Sequence, residues 1–164
     1  MLLTIANKII KNKKYIEILK DIETLEKDRI FCGHNMEHFL DVARMTLILC
    51  NERSLDVSPD FIYTTALLHD IGRAQQYRND VPHNIAGEKI AREILNEVGA
   101  DKNFTDEVCK CILSHSTKKA TQDSTIEFEK IFFIADKKSR NCFCCKAQAE
   151  CNWPYEKRNM NIEF

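Results

Sequence analysis

Apolar residues recur at helical spacing along most of this sequence, and that pattern restricts the fold more than any other feature. Residues 2–28 carry isoleucines and leucines about every 3.6 residues, with Lys11 to Lys14 as the expected interruption. A second such segment runs from His34 to Asn51. No segment alternates long enough to predict a strand, and four glycines and three prolines are few for an all-β protein. The sequence therefore predicts an all-α bundle of six or seven helices.

Capping residues predict where the later helices begin and end. Serine, threonine and asparagine accept hydrogen bonds from free backbone amides at a helix start, and glycine tolerates the backbone conformation that ends a helix. The predicted starts are Ser58 (followed by Pro59), Asn84, Thr105 and a capping box of Ser124 and Glu127. The predicted ends lie near Gly72, Gly99 and His115.

Size and charge limit the classes of protein to which this chain can belong. Its 164 residues fit one domain, residues 1–164, in which residues 141–164 form an irregular cysteine-rich tail. A net charge of −1 argues against nucleic acid as a partner, since such a surface would be clearly basic. No segment has the pattern of a signal peptide or a membrane span. We therefore expect a cytoplasmic protein whose eight cysteines are thiols or metal ligands.

Acidic side chains fall where the helical pattern predicts burial. An apolar run leads directly into His69 and Asp70, and Asp136 follows the apolar stretch IFFIA. Burying such carboxylates near imidazoles is costly unless a cation lies between them. Helical neighbours diverge by about 100°, so a pair that shares one ion must lie at a helix end, which Gly72 can provide. The pattern predicts a metal chelate.

The local context of these residues resembles that of a known family. The segment 66-ALLHDIGR-73 is very similar to the signature of the HD-domain superfamily of metal-dependent phosphohydrolases, in its HDIG form. The segment 38-HFLDVA-43 is similar to the family's first-histidine segment, and 135-ADK-137 resembles its last-aspartate segment. The resemblance covers about residues 30–140 and implies a compact HD-domain-like helical bundle.

The resemblance also implies a ligand set for one or two divalent ions. The first ion would be bound by His38, His69, Asp70 and Asp136. A second ion would be bound by His83 and His115, with Asp70 as the bridge. Nitrogen and oxygen ligands together suit Fe, Mn, Co or Zn, and Mg is a further candidate. The alternative places His83 in a solvated loop and His115 as a cation at a helix C-terminus.

The reaction implied by the resemblance is hydrolysis of a phosphoester or phosphoanhydride bond by a metal-activated hydroxide. The expected substrate is a small phosphorylated metabolite, with a nucleotide as the leading candidate. The candidate catalytic residues are Asp70, Arg73 and Arg140. Arg140 returns to the helix face of Asp136, so it is preferred over Lys137 as a phosphate-binding cation.

Several alternatives stay open at this point. His34, one turn before His38, either supports a metal ligand or faces the substrate, or it begins the helix without a catalytic role. A few HD-fold proteins share this ligand order yet hold a mixed-valent di-iron centre that activates oxygen, so an oxygenase is one alternative. A non-catalytic nucleotide-binding or redox-sensing module is the other.

The cysteine-rich tail suggests a second metal site. Cys142, Cys145 and Cys151 have a spacing that suits Zn or an iron–sulfur cluster, with Cys144 left over. A fourth ligand would be Cys144 itself or a distant residue such as Cys32 or His34. The alternative is that the tail holds free thiols, which pack as small apolar groups.

Overall fold

The computed structural model describes residues 2–115 and 127–162, and its regular structure within those ranges is helical. The α-helices are α1 (Thr4–Ile9), α2 (Lys13–Leu25), α3 (Met36–Glu52), α4 (Pro59–Leu68), α5 (Arg73–Asn79), α6 (His83–Glu97), α7 (Lys102–Ser114) and α8 (Glu127–Lys138). Two 3-10 helices, Cys142–Cys144 and Tyr155–Lys157, lie in the otherwise irregular tail. The expected all-α fold is confirmed.

The described residues contain eight α-helices, more than the six or seven that were predicted, for two reasons. The N-terminal segment divides into α1 and α2 at the predicted interruption, where the Asn12 side chain caps α2 by accepting a hydrogen bond from the Tyr15 amide. Helix α5 was not expected, because its sequence RAQQYRN has no apolar periodicity from which a helix could be predicted. Only Ala74 of this helix is buried.

Several predicted helix starts are shifted by a few residues. Ser58 is the N-cap of α4 as expected, but α6 begins at His83 and therefore ahead of Asn84. Helix α7 begins ahead of Thr105, because the Asp101 carboxylate caps it through the Phe104 amide. The segment predicted from His34 begins at Met36, so His34 precedes the helix. Ser124, in the predicted capping box, lies outside the described residues.

The predicted helix ends agree better with the structure. Gly99 follows α6 with a positive φ of 75°, a conformation that glycine adopts without strain. His115 is the C-terminal cap of α7, as the sequence predicted. Within the described residues, no helix combines the length and the apolar character needed to cross a bilayer.

Helix α4 runs through the centre of the core. It packs against α1, α3 and α7, and six of its ten residues are buried. Leu67 and Leu68 join the part of the core built with α1, α2 and α6, while Ile62 and Ala66 join the part built with α3 and α8. Because α4 has no solvent-facing side near its end, the residues that follow Leu68 emerge inside the protein.

The first turn of α4 also fixes the N-terminus of α1. The two carboxylate oxygens of Asp60 accept hydrogen bonds from the backbone amides of Ile5 (2.8 Å) and Ala6 (2.9 Å). Leu3, the N-cap of α1, makes no side-chain capping bond of its own. Asp60 therefore caps α1 across 55 residues of sequence.

Gly72, the N-cap of α5, lets α6 approach the turn between α4 and α5 very closely. A Cβ atom at this position would lie 2.1 Å from the carbonyl oxygen of His83 and 2.5 Å from the amide nitrogen of Gly87. Both are backbone atoms, so a side chain could fit only if the helices moved apart. The absence of a side chain here brings the start of α6, and with it His83, beside the His69–Asp70 pair.

Candidate metal centre

The structure brings together the six side chains that the sequence predicts as metal ligands. All six are buried: His38, His69, Asp70, His83, His115 and Asp136. Their candidate ligand atoms form two sets, each lying within 4.8 Å of one another. We call His38, His69, Asp70 and Asp136 the first group, and Asp70, His83 and His115 the second group.

In the first group, two histidines face two carboxylates. Nε2 of His69 lies 3.1 Å from Oδ2 of Asp70 and 3.7 Å from Oδ1 of Asp136. Nε2 of His38 lies 3.4 Å from Oδ1 of Asp136 and 3.9 Å from Oδ2 of Asp70. The same pair of carboxylate oxygens is thus shared by both imidazoles, as around a common cation.

In the second group, two imidazoles face each other beside the other oxygen of Asp70. Oδ1 of Asp70 lies 3.4 Å from Nε2 of His83 and 3.7 Å from Nε2 of His115, and the two nitrogens are 3.3 Å apart. His83 is the buried first residue of α6. The alternative that placed it in a solvated loop was therefore wrong.

Hydrogen bonds on the far side of the rings orient these nitrogens. Nδ1 of His69 donates to the carbonyl oxygen of Ala66 (2.7 Å), and Nδ1 of His115 donates to that of Ile112 (2.7 Å). In the neutral ring, the proton on Nδ1 leaves Nε2 with a lone pair that points into the centre. Among the described residues, Nε2 of His69 is buried and has no hydrogen-bond partner.

The electrostatics of the centre call for a cation. Burial opposes ionisation of Asp70, but His69 beside it outweighs this effect and holds the pKa of Asp70 well below its usual range. The pKa of Asp136 is likewise lowered, with His38 overcoming the effect of burial. Burial also disfavours a charge on His69, yet the two carboxylates raise its pKa to about 9, so without a metal this ring carries a compensating positive charge that a bound cation would replace. Burial lowers the pKa of His38 to about 4 and that of His83 to about 3.

These observations fit a divalent metal site. Two ionised, buried carboxylates and inward-facing imidazole lone pairs form a ligand set that Fe, Mn, Co or Zn can use. An orphaned nitrogen such as Nε2 of His69 costs free energy unless it meets a proton or a metal. The division into two groups that share Asp70 would accommodate two ions.

Comparison with known proteins identifies the family. The family model of the HD domain matches residues 35–141, more than half of the chain. This chain belongs to the HD-domain family. The HD centre, as we call the first and second groups together, lies within the matched residues.

Individual relatives agree with this assignment. A protein of Clostridium beijerinckii without an assigned function is 42% identical over 158 residues, which is 96% of this chain and 98% of that one. Ribonuclease Y of Clostridium botulinum is 30% identical over 93 residues, and that of Mycoplasma capricolum 32% identical over 122 residues. These matches cover 52% and 74% of this chain but only 18% and 21% of the ribonucleases.

A solved structure has the same fold. The crystal structure of a predicted HD superfamily hydrolase from an uncultured Thermotogales bacterium is similar, with a TM-score of 0.60 and 26% sequence identity. The similarity covers 88% of this chain and 81% of the other. It extends well beyond the HD centre, so the helical framework as a whole is shared.

The cationic side chains predicted for catalysis lie at the HD centre. Nε of Arg73 donates to Oδ1 of Asp70 (2.8 Å), and Nη2 of Arg140 donates to Nε2 of His38 (2.9 Å). Lys137 instead pairs with its neighbour Asp136, with Nζ 2.5 Å from Oδ2. Both arginines therefore contact side chains of the HD centre, although α8 ends at Lys138 and Arg140 lies beyond the helix on whose face the sequence predicted it.

His34 lies beside the HD centre, together with two residues that the sequence did not reveal. Its Nε2 is 3.7 Å from Oδ2 of Asp70, and its Nδ1 hydrogen-bonds with the carboxylate of Glu26. The Tyr77 hydroxyl also donates to Glu26 (2.5 Å). Burial opposes ionisation of Glu26, but the hydrogen bonds from His34 and Tyr77 lower its pKa to about 2. Burial lowers the pKa of His34, so a neutral imidazole donates to an anionic Glu26.

A cavity of about 520 Å³ opens onto the HD centre. Asp70, Asp136 and His34 lie in its wall. The cations in its lining are Arg29, Arg73, Lys137, Arg140 and Arg158, and its aromatic side chains are Phe31 and Trp153. An anionic group that enters this cavity would lie beside the HD centre and would also face several positive charges.

The cysteines predicted as a second metal site lie in the same cavity wall. Cys142, Cys145 and Cys151 line the cavity, whereas Cys144 is exposed and is absent from its lining. Among the described residues, no three of the thiols lie within 4.8 Å of one another. The tail therefore does not assemble a tight single-ion site from these three cysteines, and their role stays a prediction.

Proposed function

We propose that this HD-domain protein is a metal-dependent phosphohydrolase that cleaves a phosphoester or phosphoanhydride bond in a small phosphorylated metabolite. The observation that carries the proposal is the position of Asp70, whose two oxygens face two different histidine pairs at the base of a cation-lined cavity. Membership of the HD-domain family supports a hydrolytic reaction, as does the similarity to a predicted HD superfamily hydrolase.

The six side chains of the HD centre are the proposed metal ligands. A divalent pair in these groups would neutralise charge on phosphoryl oxygens and acidify an attacking water. The Nδ1 bonds of His69 and His115 to backbone carbonyls keep their Nε2 atoms aimed inward. Burial of the carboxylates excludes bulk water, which strengthens their attraction for cations.

Arg73 and Arg140 are the proposed phosphate-binding residues. Each guanidinium lies in the cavity wall and contacts a side chain of the HD centre. A guanidinium can donate two parallel hydrogen bonds to phosphate oxygens, which orients the scissile bond as well as balancing its charge. Lys137 is the weaker candidate because its ammonium already pairs with Asp136.

The cavity also suits a nucleotide. Phe31 and Trp153 line it along with the cations, so an aromatic base and a phosphate could be bound at once. Stacking of a base on an aromatic side chain contributes about 1–3 kcal/mol. The volume of about 520 Å³ falls within the range of small-molecule sites, roughly 300–1,000 Å³.

A phosphodiester in RNA is the second candidate substrate. The similarity to ribonuclease Y of two bacteria favours it, although this chain spans about a fifth of those proteins. The net charge of −1 favours the small metabolite, because a long RNA is held mainly through basic surface. Short oligoribonucleotides therefore belong in the same assay as mononucleotides and dinucleoside polyphosphates.

The test is substrate hydrolysis by protein loaded anaerobically with Mn, Fe, Co or Zn, compared with its Asp70→Asn variant. Phosphate release measures it for mononucleotides, and chromatography of the products measures it for dinucleoside polyphosphates and oligoribonucleotides. Hydrolysis of a nucleotide by the wild type and its loss in the variant are expected. Absence of hydrolysis for every substrate, in protein shown to hold two metals per chain, would refute the proposal. Oxygen uptake by the iron-loaded protein without phosphate release would instead identify the di-iron oxygenase.

A further inference from the structure

Four cysteines from two distant segments surround one cavity. Cys32 precedes α3, while Cys142, Cys145 and Cys151 follow α8, and all four line the cavity of about 520 Å³. Cys144, in the same tail, is exposed and does not line it. The others, Cys50, Cys109 and Cys111, are buried in the chain before residue 115. The fold therefore places Cys32, and not Cys144, around this cavity with the other three tail cysteines.

Three of these thiols stand in a wall between two hollows. Cys32, Cys142 and Cys145 also line a second hollow of about 280 Å³, next to the start of α3. Burial raises the pKa of the Cys32 thiol; Arg140 opposes the shift, and Cys142 and Cys145 add to it. Cys32 is thus close enough to both tail cysteines to interact with them electrostatically.

Hydrogen bonds hold the backbone that carries the thiols. Nε of Arg29 donates to the carbonyl oxygen of Cys32 (3.0 Å), and the Gln148 amide donates to that of Cys142 (2.7 Å). Arg158 donates from its three nitrogens to three tail carbonyls, including that of Cys151 (2.7 Å). Both segments are therefore positioned before any ligand binds.

The tail has little apolar burial of its own to offset the entropy of ordering it. Between residues 141 and 162, the buried side chains are those of Cys142 and Ala147. The two 3-10 helices there have three residues each. Such a segment resembles the small units that a bound metal stabilises, because ligation replaces the missing core.

We propose that Cys32, Cys142, Cys145 and Cys151 ligate an iron–sulfur cluster. A single zinc ion, with bonds of about 2.3 Å, needs thiolates within about 4.6 Å of one another. No three of these described thiols lie within 4.8 Å of one another. In a four-cysteine [4Fe–4S] cluster each thiolate binds a different iron, so the sulfurs stand farther apart. The cations Arg29 and Arg158, which hydrogen-bond to the backbone at Cys32 and Cys151, offset the negative charge of four thiolates.

The test is to reconstitute the full chain anaerobically with iron and sulfide, then measure iron, acid-labile sulfide and visible absorption. Cys32→Ser and Cys151→Ser should each lose most of the sulfide and the absorption. Cys144→Ser, altered in the same tail but outside the cavity, should keep both. Asp70→Asn should also keep its sulfide while it loses metal from the HD centre, which separates this site from the proposed hydrolase.

Three results would overturn the assignment. One is protein without acid-labile sulfide after reconstitution. Another is equal sulfide in the Cys32→Ser and Cys144→Ser variants. The third is zinc bound through these cysteines without sulfide, which would mean that the thiols close around a single ion. Circular dichroism of each variant shows whether the helices are intact, and using two different cysteine variants guards against one that fails to fold.

Discussion

Asp70, in the turn that follows α4, faces His83, the first residue of α6, with Oδ1 lying 3.4 Å from Nε2. Its other oxygen, Oδ2, lies 3.1 Å from Nε2 of His69. One carboxylate therefore belongs to both groups, while His83 belongs only to the second. This asymmetry predicts different metal contents when the two residues are changed.

Asp70→Asn should abolish metal binding by both groups, and His83→Ala should remove one ion of two. The reason is that the amide is neutral and has one oxygen in place of two, whereas loss of His83 leaves the four side chains of the first group unchanged. Elemental analysis of dialysed protein measures the stoichiometry. Equal metal content in the two variants would contradict the role of Asp70 as the bridge.

Arg140→Ala should tighten metal binding and weaken substrate binding. Its guanidinium donates to Nε2 of His38, the nitrogen whose lone pair a metal requires. Loss of a charged hydrogen bond to phosphate costs about 1.5–3 kcal/mol, so KM should rise roughly ten- to a hundredfold. Calorimetric metal titration and steady-state kinetics measure the two effects. Lys146→Ala, an exposed cation outside the cavity lining, is the control and should change neither.

Glu26→Gln should destabilise the metal-free protein most at neutral pH and progressively less as the pH falls below 4.5. The pKa of Glu26 is lowered to about 2 from its ordinary 4.5, because His34 and Tyr77 stabilise the carboxylate against the effect of burial. As the pH falls, the Glu26 carboxyl group is protonated in the unfolded chain before it is protonated in the folded protein. The stabilisation is therefore present above pH 4.5 and is lost as the pH falls towards 2. We expect a difference of about 2 kcal/mol at pH 7.

Urea unfolding of the chelator-treated protein at pH 7 and pH 3 checks this prediction. Glu23→Gln changes an exposed carboxylate on the same helix and should have little effect at either pH. If Glu26→Gln lowered the free energy of unfolding equally at both pH values, the stabilising contacts of Glu26 would not depend on its negative charge.

Gly72→Ala should both destabilise the fold and weaken the second metal. The added Cβ would overlap the backbone of His83 and Gly87, and such overpacking costs about 1–3 kcal/mol. Gly99→Ala is the matched control, since no atom lies within 4 Å of its added Cβ. It should lose about 1 kcal/mol through its positive φ, with unchanged metal content. Thermal unfolding and metal analysis separate the two effects.

The residues of the HD centre could be found from the sequence because each lies in a short segment with its own signature. His69 and Asp70 follow the apolar end of α4, and Asp136 follows an apolar stretch in α8. The structure adds which atoms face each other, and this depends on the contact of Gly72 with α6, which no local pattern announces.

Glu26 and Cys32 could not have been assigned in the same way. Glu26 caps the end of α2 and meets His34 only because the chain turns back over residues 27–33, which have no helical periodicity. Cys32 was one of several candidates for a fourth thiol. Its place beside the tail follows from the packing of α3 against α8, a contact between segments about a hundred residues apart.

The bond from Asp60 to the first turn of α1 affects how this protein can be shortened. A fragment cut to the HD-domain match would start at residue 35 and lack that turn. Both oxygens of Asp60 would lose their amide donors, and the face of α4 that contacts α1 would become exposed to solvent. Glu26 and Cys32 would be missing as well. Trimming the chain to residues 35–141 would therefore remove contacts that support the residues of the HD centre.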